Sequence, residues 1–313
     1  MRTDETVNRS HQWLPMEMLE ARQLLSGNVL ASVSRGMLTV RGDRVANAII
    51  IDQENLSPEQ YRIRSGDGIT TVNGQDEVIL SAKSINLLMG GGNDAIEVAG
   101  CRTVDLFVDT GSGDTELTVS QTIITGELRY QGSGGADTIT LEETIACCQA
   151  RINCREGLAT IDISASVFGF GDTIVTNAAT PKYSPVKNKG LTIRTGRQDD
   201  SVSVVNSFSL GGECLINTGG GNDTISLSRG QSDGLAALVA DLVSEVWSPP
   251  AGDWFSDVRI CSERGRDNIW LDYDRTGTIT CVDGGGERDM LTIVQPWSVR
   301  PRLRGVETVL NGL

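Results

Sequence analysis

Apolar residues alternate with polar ones in short runs along this chain, and the runs come in pairs around small acidic turns. Nine and seven residues before Asp94 stand Ile85 and Leu87; two and four residues after it stand Ile96 and Val98. The same offsets give Leu128/Tyr130 and Ile139/Leu141 around Asp137, and Leu191/Ile193 and Val202/Val204 around Asp200. They give Cys214/Ile216 and Ile225/Leu227 around Asp223, and Val258/Ile260 and Ile269/Leu271 around Asp267. A period of two on both sides of a turn is the pattern of half-buried strands. Asp172 joins the set through Ile163/Ala165 and Ile174/Thr176. Asp76 joins through Val78/Leu80, with Asp67 breaking the pattern before it.

Three further copies need a small change. Around Thr115 the pattern is Leu106/Val108 and Leu117/Val119, with the acid moved to Asp114. Around Asn47 it is Leu38/Val40 and Ile49/Ile51, with Asn in place of Asp. Around Asp289, one extra turn residue leaves Ile279/Cys281 before and Leu291/Ile293 after. Ten copies, mostly 18 to 29 residues apart, predict an all-β fold: a single-stranded parallel β-helix of about ten coils. One coil cannot bury its apolar face alone, whereas a stack buries a continuous core. At ~4.8 Å per coil the rod would be roughly 45 Å long. The tighter spacings leave room for a third short side, for example at Thr122-Ile123-Ile124.

Some segments interrupt the repeat. Ser232 or Asp233 can cap a helix. Leu235, Leu238, Val239, Leu242, Val246 and Trp247 then follow at helical spacing, and Pro249-Pro250 ends the run. This predicts a helix near 233–247 within an insertion at 228–257, packed on the flank or serving as a lid. Residues 142–162 read as a second excursion and residues 177–190 as a basic loop. Residues 1–28, with a short amphipathic stretch from Trp13 to Leu25, are set apart as a leader or arm before a β-helix domain at 29–313.

Composition narrows the function classes. Aromatic residues make up 4% of the chain and Gly accounts for 36 of 313 residues, as suits many short strands with Gly turns. The net charge of −14 disfavours nucleic acid and anionic membranes and suits divalent cations. No apolar run of 18 residues is present, so no helical membrane span is expected. The seven cysteines form no CxxC or Cys/His metal spacing. Cys214 and Cys281 occupy ladder positions otherwise held by Leu, Ile or Val, which predicts core roles for both.

The turns read GGGND (Gly90, Gly92, Asp94), GSGD (Gly111, Gly113, Asp114), GSGGAD (Gly132, Gly135, Asp137) and GGGND (Gly219, Gly221, Asp223), with Asp200 in a related turn. They resemble the hemolysin-type, or repeats-in-toxin, calcium repeat G-G-x-G-x-D-x-U-x. That resemblance implies Ca²⁺ held between neighbouring turns by glycine carbonyls and by Asp94, Asp114, Asp137, Asp200 and Asp223. The match departs from the family in having about one motif per coil, in Gln198 replacing a turn glycine, and in the displaced Asp114. The same turns also suit any tight solenoid corner, since Asp hydrogen-bonds nearby backbone.

The segment from Pro15 to Ser26, with Leu19-Glu20-Ala21-Arg22-Gln23-Leu24-Leu25-Ser26 at its heart, resembles the leader of planctomycete exported and surface proteins. In such leaders Pro is common where this chain has Ala21. The resemblance implies an extracellular or cell-surface location, with polysaccharide or another envelope component as partner. The tripeptide Arg41-Gly42-Asp43 alone carries little weight as an adhesion signal.

The sequence therefore favours a non-catalytic exported surface or matrix protein, with calcium stiffening the rod. The alternative is a polysaccharide-degrading β-helix enzyme, a lyase or glycoside hydrolase. Fold by itself does not decide between them. The only histidine, His11, lies in the leader, and no GxSxG, HExxH or P-loop occurs. Paired carboxylates such as Asp272 and Asp274, or Asp199 and Asp200, and the alternating Arg300, Arg302 and Arg304 are the residual catalytic candidates.

Overall fold

A computed structural model describes residues 27–154, 156–169, 190–228, 255–272, 278–294 and 302–311. The described residues are all-β, with no helix among them, and form two large, mostly parallel sheets of 16 and 12 strands. The arrangement is consistent with a β-helix. The helix expected at 233–247, the leader, the basic loop and Asp172 lie outside the described residues.

Register shows how the alternating sequence becomes a stack. In sheet 1, Leu38, Ile85, Leu106, Leu128, Ala150, Leu191, Cys214 and Val258 stand opposite one another on successive strands. In sheet 2, Ile49, Ile96, Leu117, Ile139, Ile161, Val202, Ile225, Ile269 and Leu291 do the same. All of these are buried and belong to one core. Each residue shifts neither face nor row from one strand to the next, because a one-residue slip would turn the apolar set out to water.

A third, short side follows sheet 2. Arg102–Thr103, Ile123–Ile124, Ile145–Ala146 and Val167–Phe168 pair in parallel, as the Thr122-Ile123-Ile124 spacing suggests. The corner leading to it repeats one device. Gln121, Glu143, Ala165 and Asn206 take positive φ of 46–52°, and a buried hydroxyl follows each. The Thr122, Ser166 and Ser207 hydroxyls accept N–H groups from Cys101, Thr144 and Ser166 of the preceding layer.

The N-terminal end departs from the parallel pattern. Asn28–Ser34 forms an antiparallel hairpin with Met37–Arg41 over Arg35-Gly36, both at positive φ, as a two-residue hairpin turn requires. Gln60–Ser65 and Glu77–Ser81 add antiparallel strands beyond Ala48–Asp52. Asp76 thus belongs to this antiparallel cap rather than to a parallel layer, and Val78 and Leu80 are only half-buried. Such a cap ends the stack without leaving a bare parallel edge.

Two further expectations are corrected by register. Residues 142–162 are not an excursion: Gln149–Cys154 and Ala159–Ser164 form a regular layer whose corner residue is Ala159. Ile163 therefore lies after the corner, opposite Leu141 and Val204, not before a turn at Asp172. Around Asp289, the inward residue of the preceding strand is Val282, paired with Ile260 and fully buried. Cys281 is only half-buried and sits in the outward row. No extra turn residue is needed there, since Val282 stands seven before Asp289 as Ile260 does before Asp267. Cys214 is buried as expected, and burial pushes its thiol up to about 12, which leaves it unreactive.

Candidate functional site

The acidic corner between sheets 1 and 2 is the most regular polar feature of the fold. Backbone conformation comes first. Gly92, Gly113, Gly135 and Gly157 have φ between +86° and +121°, where glycine is favoured because it lacks Cβ. They also stack: a Cβ on Gly113 would run into the Gly92 carbonyl oxygen, and one on Gly135 into that of Gly113. Gly111 stands likewise on Gly90, Gly219 on Gly196, and Gly221 on Gln198. The expected turn glycines are thus brought together in rows along one edge.

Two residues after Gly92, Gly113, Gly135, Gly157 and Gly221 comes the first inward residue of sheet 2. Reading up the stack, this row is Asn47, Asp94, Thr115, Asp137, Ala159, Asp200, Asp223, Asp267 and Asp289. Asp94, Asp137, Asp200 and Asp223 are no more than 3% exposed. Acid and neutral rungs alternate up to Asp200; from there four acids stand in succession. Asp114 lies one place outside the row and is exposed. Asp200 and Asp223 are therefore neighbours, whereas Thr115 separates Asp94 from Asp137.

Most of the row shares one hydrogen-bond pattern. Asp94 Oδ1 accepts the Asn47 N–H at 2.9 Å, and Asp200 Oδ1 accepts the Ala159 N–H at 2.7 Å. Asp223 Oδ1 accepts the Asp200 N–H and Asp267 Oδ1 the Asp223 N–H, both at 2.9 Å. Each carboxylate clips its own layer to the one before. Asp137 differs, because the Thr115 N–H goes to the Ala136 carbonyl instead. Its carboxyl fills the space left by Gly132, with Tyr130, Cys154 and Thr115 around it but no well-aligned hydrogen bond to either oxygen.

The second oxygens are the unusual part. Oδ2 of Asp94, Asp223 and Asp267 is buried and makes no well-aligned hydrogen bond, and the Thr218 and Ser262 hydroxyls are in the same condition. Burial without compensation disfavours the charged form. It pushes Asp94 up to about 7, against the pull of the Asn47 N–H and with added repulsion from Asp43. Burial likewise lifts Asp137 to about 6, and the Tyr130, Cys154 and Thr115 side chains draw it back. Asp223 reaches about 6 through burial, offset by the Asp200 N–H and the Thr218 hydroxyl and raised again by Asp267 and Asp200. Asp200 is raised by burial as well.

An outer row runs beside the inner one. Asp114 Oδ1 accepts the Ala136 N–H at 2.8 Å, and Asn93 Oδ1 accepts the Asp114 N–H at 3.1 Å. Further along, Asp199 accepts the Asn222 N–H and Asn222 accepts the Arg266 N–H. These exposed side chains hold the turns to each other.

Calcium takes six to eight oxygens at about 2.3–2.6 Å. The inner carboxylates and hydroxyls suit a hard cation in their chemistry. The turn carbonyls are less suited: Gly90, Ser112 and Gly111 already accept N–H groups from Ser112, Gly92 and Ser133, and Gly196 accepts that of Gly220. Adjacent turns are thus closed on each other by hydrogen bonds and by the tight stacking of their glycines. Among the described residues, no three or more His, Cys, Asp or Glu side chains converge as a metal-binding group.

Asp267, Asp289 and the neutral rung Ala159 were not among the candidate site residues. Asp267 and Asp289 carry the repeat's own offsets. Ala159 is marked only by Gly157, two residues before it as Gly135 is before Asp137. No family model matches the chain, and no curated protein or solved structure shows significant similarity to it.

Proposed function

We propose that the chain is a non-catalytic surface or matrix protein, exported from the cell and built as a β-helix of about ten coils. One observation carries this reading: the inward carboxylates are directed into the stack, where they hold layer to layer, rather than into a cleft where a substrate could reach them. The resemblance of residues 15–26 to exported-protein leaders supports the location, and envelope polysaccharide is the partner class that follows from it. Incubation of the full chain with pectate and alginate should leave both polymers intact. Cleavage that disappears on substituting Asp272 would replace this reading with the polysaccharide-degrading one.

A second reading, in which calcium stiffens the stack, is favoured by the spare Oδ2 atoms of Asp94 and Asp223. A ligand bound only to the native state raises stability by RT ln(1 + [L]/Kd). This reading expects melting in millimolar Ca²⁺ to exceed that in EDTA by several degrees, and ion binding by calorimetry. Identical melting in both, with no binding heat, leaves the hydrogen-bonded corner as the whole account of these residues.

A further inference from the structure

The outward faces of the two sheets differ in charge. In sheet 2, the strands Asp94–Ala99, Thr115–Ser120, Asp137–Glu142, Ala159–Ser164, Ser201–Val205, Thr224–Ser228 and Asn268–Asp272 carry no Lys or Arg. Their outward side chains are mostly Ser, Thr and acids such as Glu97, Glu116 and Asp162. In sheet 1, Phe107, Arg129 and Arg151 occupy successive places in one outward row. Gln131, Asn153 and Arg194 occupy the next row. Arg62 and Arg64, at the capped end of sheet 2, are engaged with Asp52; along these parallel layers a chain of net charge −14 places arginine on sheet 1.

The local register brings like charges together. Arg129 stands directly opposite Arg151 on the neighbouring parallel strand, about 4.8 Å away along the stack. Like charges on directly opposed residues repel, and an anion near both relieves that repulsion. Arg151 has a long contact to Glu127, 3.8 Å from Nε to Oε1, and its side chain is 55% exposed; Arg129 and Arg194 are exposed as well. Next to Arg129, a shallow groove of about 200 Å³ is lined by Phe107, Asn86, Leu88, Gln131 and Asp109. Asp109 is engaged locally, accepting the Gly111 N–H at 3.2 Å.

We propose that this face binds a linear polysaccharide bearing carboxylate groups, a uronate polymer, laid along the stacking direction. The guanidinium groups of Arg129 and Arg151 take a sugar carboxylate in the bidentate manner for which Arg is suited. Phe107 offers a flat apolar platform to a pyranose face. Gln131 supplies an amide donor and acceptor to the hydroxyls. The layer spacing matters too: successive layers are about one sugar residue of an extended chain apart, so Phe107, Arg129 and Arg151 meet successive residues of the polymer. The choice of polymer rests on the exported-surface reading above; the charged row itself does not.

Calorimetric titration of the full chain with oligogalacturonate tests this, with a neutral dextran oligosaccharide and a single-stranded oligonucleotide alongside. The wild type should bind the uronate oligomer and neither of the others. Arg129→Gln combined with Arg151→Gln should weaken binding about tenfold or more, and Phe107→Ala should weaken it too. Glu116→Gln on the opposite sheet should leave it unchanged, and all variants should melt as the wild type does. Undiminished binding by the double variant would overturn this surface while leaving an exported binding protein in place. No uronate binding, or preference for the oligonucleotide, would overturn the proposal outright. Cleavage of the oligomer would instead strike at the non-catalytic reading.

Discussion

Asp223 shows what a buried carboxylate does in this stack. Its Oδ1 secures the N–H of Asp200, while Oδ2 has no well-aligned hydrogen bond and lies within reach of repulsion from Asp200 and Asp267. Its pKa rises from 3.8 to about 6, so between these values the folded state holds a proton that the unfolded state has released. Stability from this group is then complete below about pH 4, is lost as pH rises through about 6, and stays low above that. Melting should accordingly fall between about pH 4 and pH 7. Asn at position 223 keeps an acceptor for the Asp200 N–H and carries no charge. Asp223→Asn should remove this group's share of the pH dependence, leaving that of Asp94 and Asp137, and gain up to about 2 kcal/mol at pH 8 in urea unfolding. A variant less stable than the wild type at pH 8 would show that the charged form is compensated in the native protein, as a bound cation would do.

At the scale of the element, the corner works because two demands fall on one glycine. Gly113 has φ +121°, and its Cα faces the Gly92 carbonyl oxygen with no space for a side chain. Conformational strain alone costs an L-residue about 1–2 kcal/mol there, and the clash adds to it, since neighbouring turns cannot separate without breaking the Ser112 bonds to Gly90 and Gly92. Gly113→Ala should cost at least about 2 kcal/mol. Gly134→Ala, also at positive φ but with open space around its Cα, should cost less. Equal losses, read from denaturant midpoints, would show that the close approach between turns contributes nothing.

On the scale of the whole molecule, layers touch only their neighbours, so stability behaves as a sum of layer and interface contributions. The antiparallel cap is one end of that sum. Asp52 is 6% exposed and is held by Arg62 at 2.7 Å and Arg64 at 3.2 Å. Both arginines are partly solvated, which discounts the pair. Arg62→Ala with Arg64→Ala should still destabilise this end of the stack by leaving a buried carboxylate unpaired. The effect should be local: amide exchange should quicken in Ala48–Asp52 and Gln60–Ser65 and stay unchanged at Ile139 and Leu141. Faster exchange spread evenly through the core would contradict the layered account.

Alternation of apolar residues around Gly/Asp turns was enough to specify half-buried strands, the parallel stacking and the core pairs on either side of the recognised turns, because side-chain direction in a strand follows position alone; the core residues of the cap, of the third side and of the Ala159 layer, such as Tyr61, Phe168 and Ile161, were not marked by it. It also placed Thr115 in the row and Asp114 outside it. Which acids and turns belong to the stack was a tertiary matter. Asp76 shares the offsets after the turn yet stands at the head of the antiparallel strand Glu77–Ser81, and Ala159 has no acid yet occupies a rung, since pairing partners and not local pattern decide membership. The inward turn of the carboxylates, their unmatched oxygens and the gathering of Arg129 and Arg151 on one face arise only when residues some 22 positions apart are brought into register.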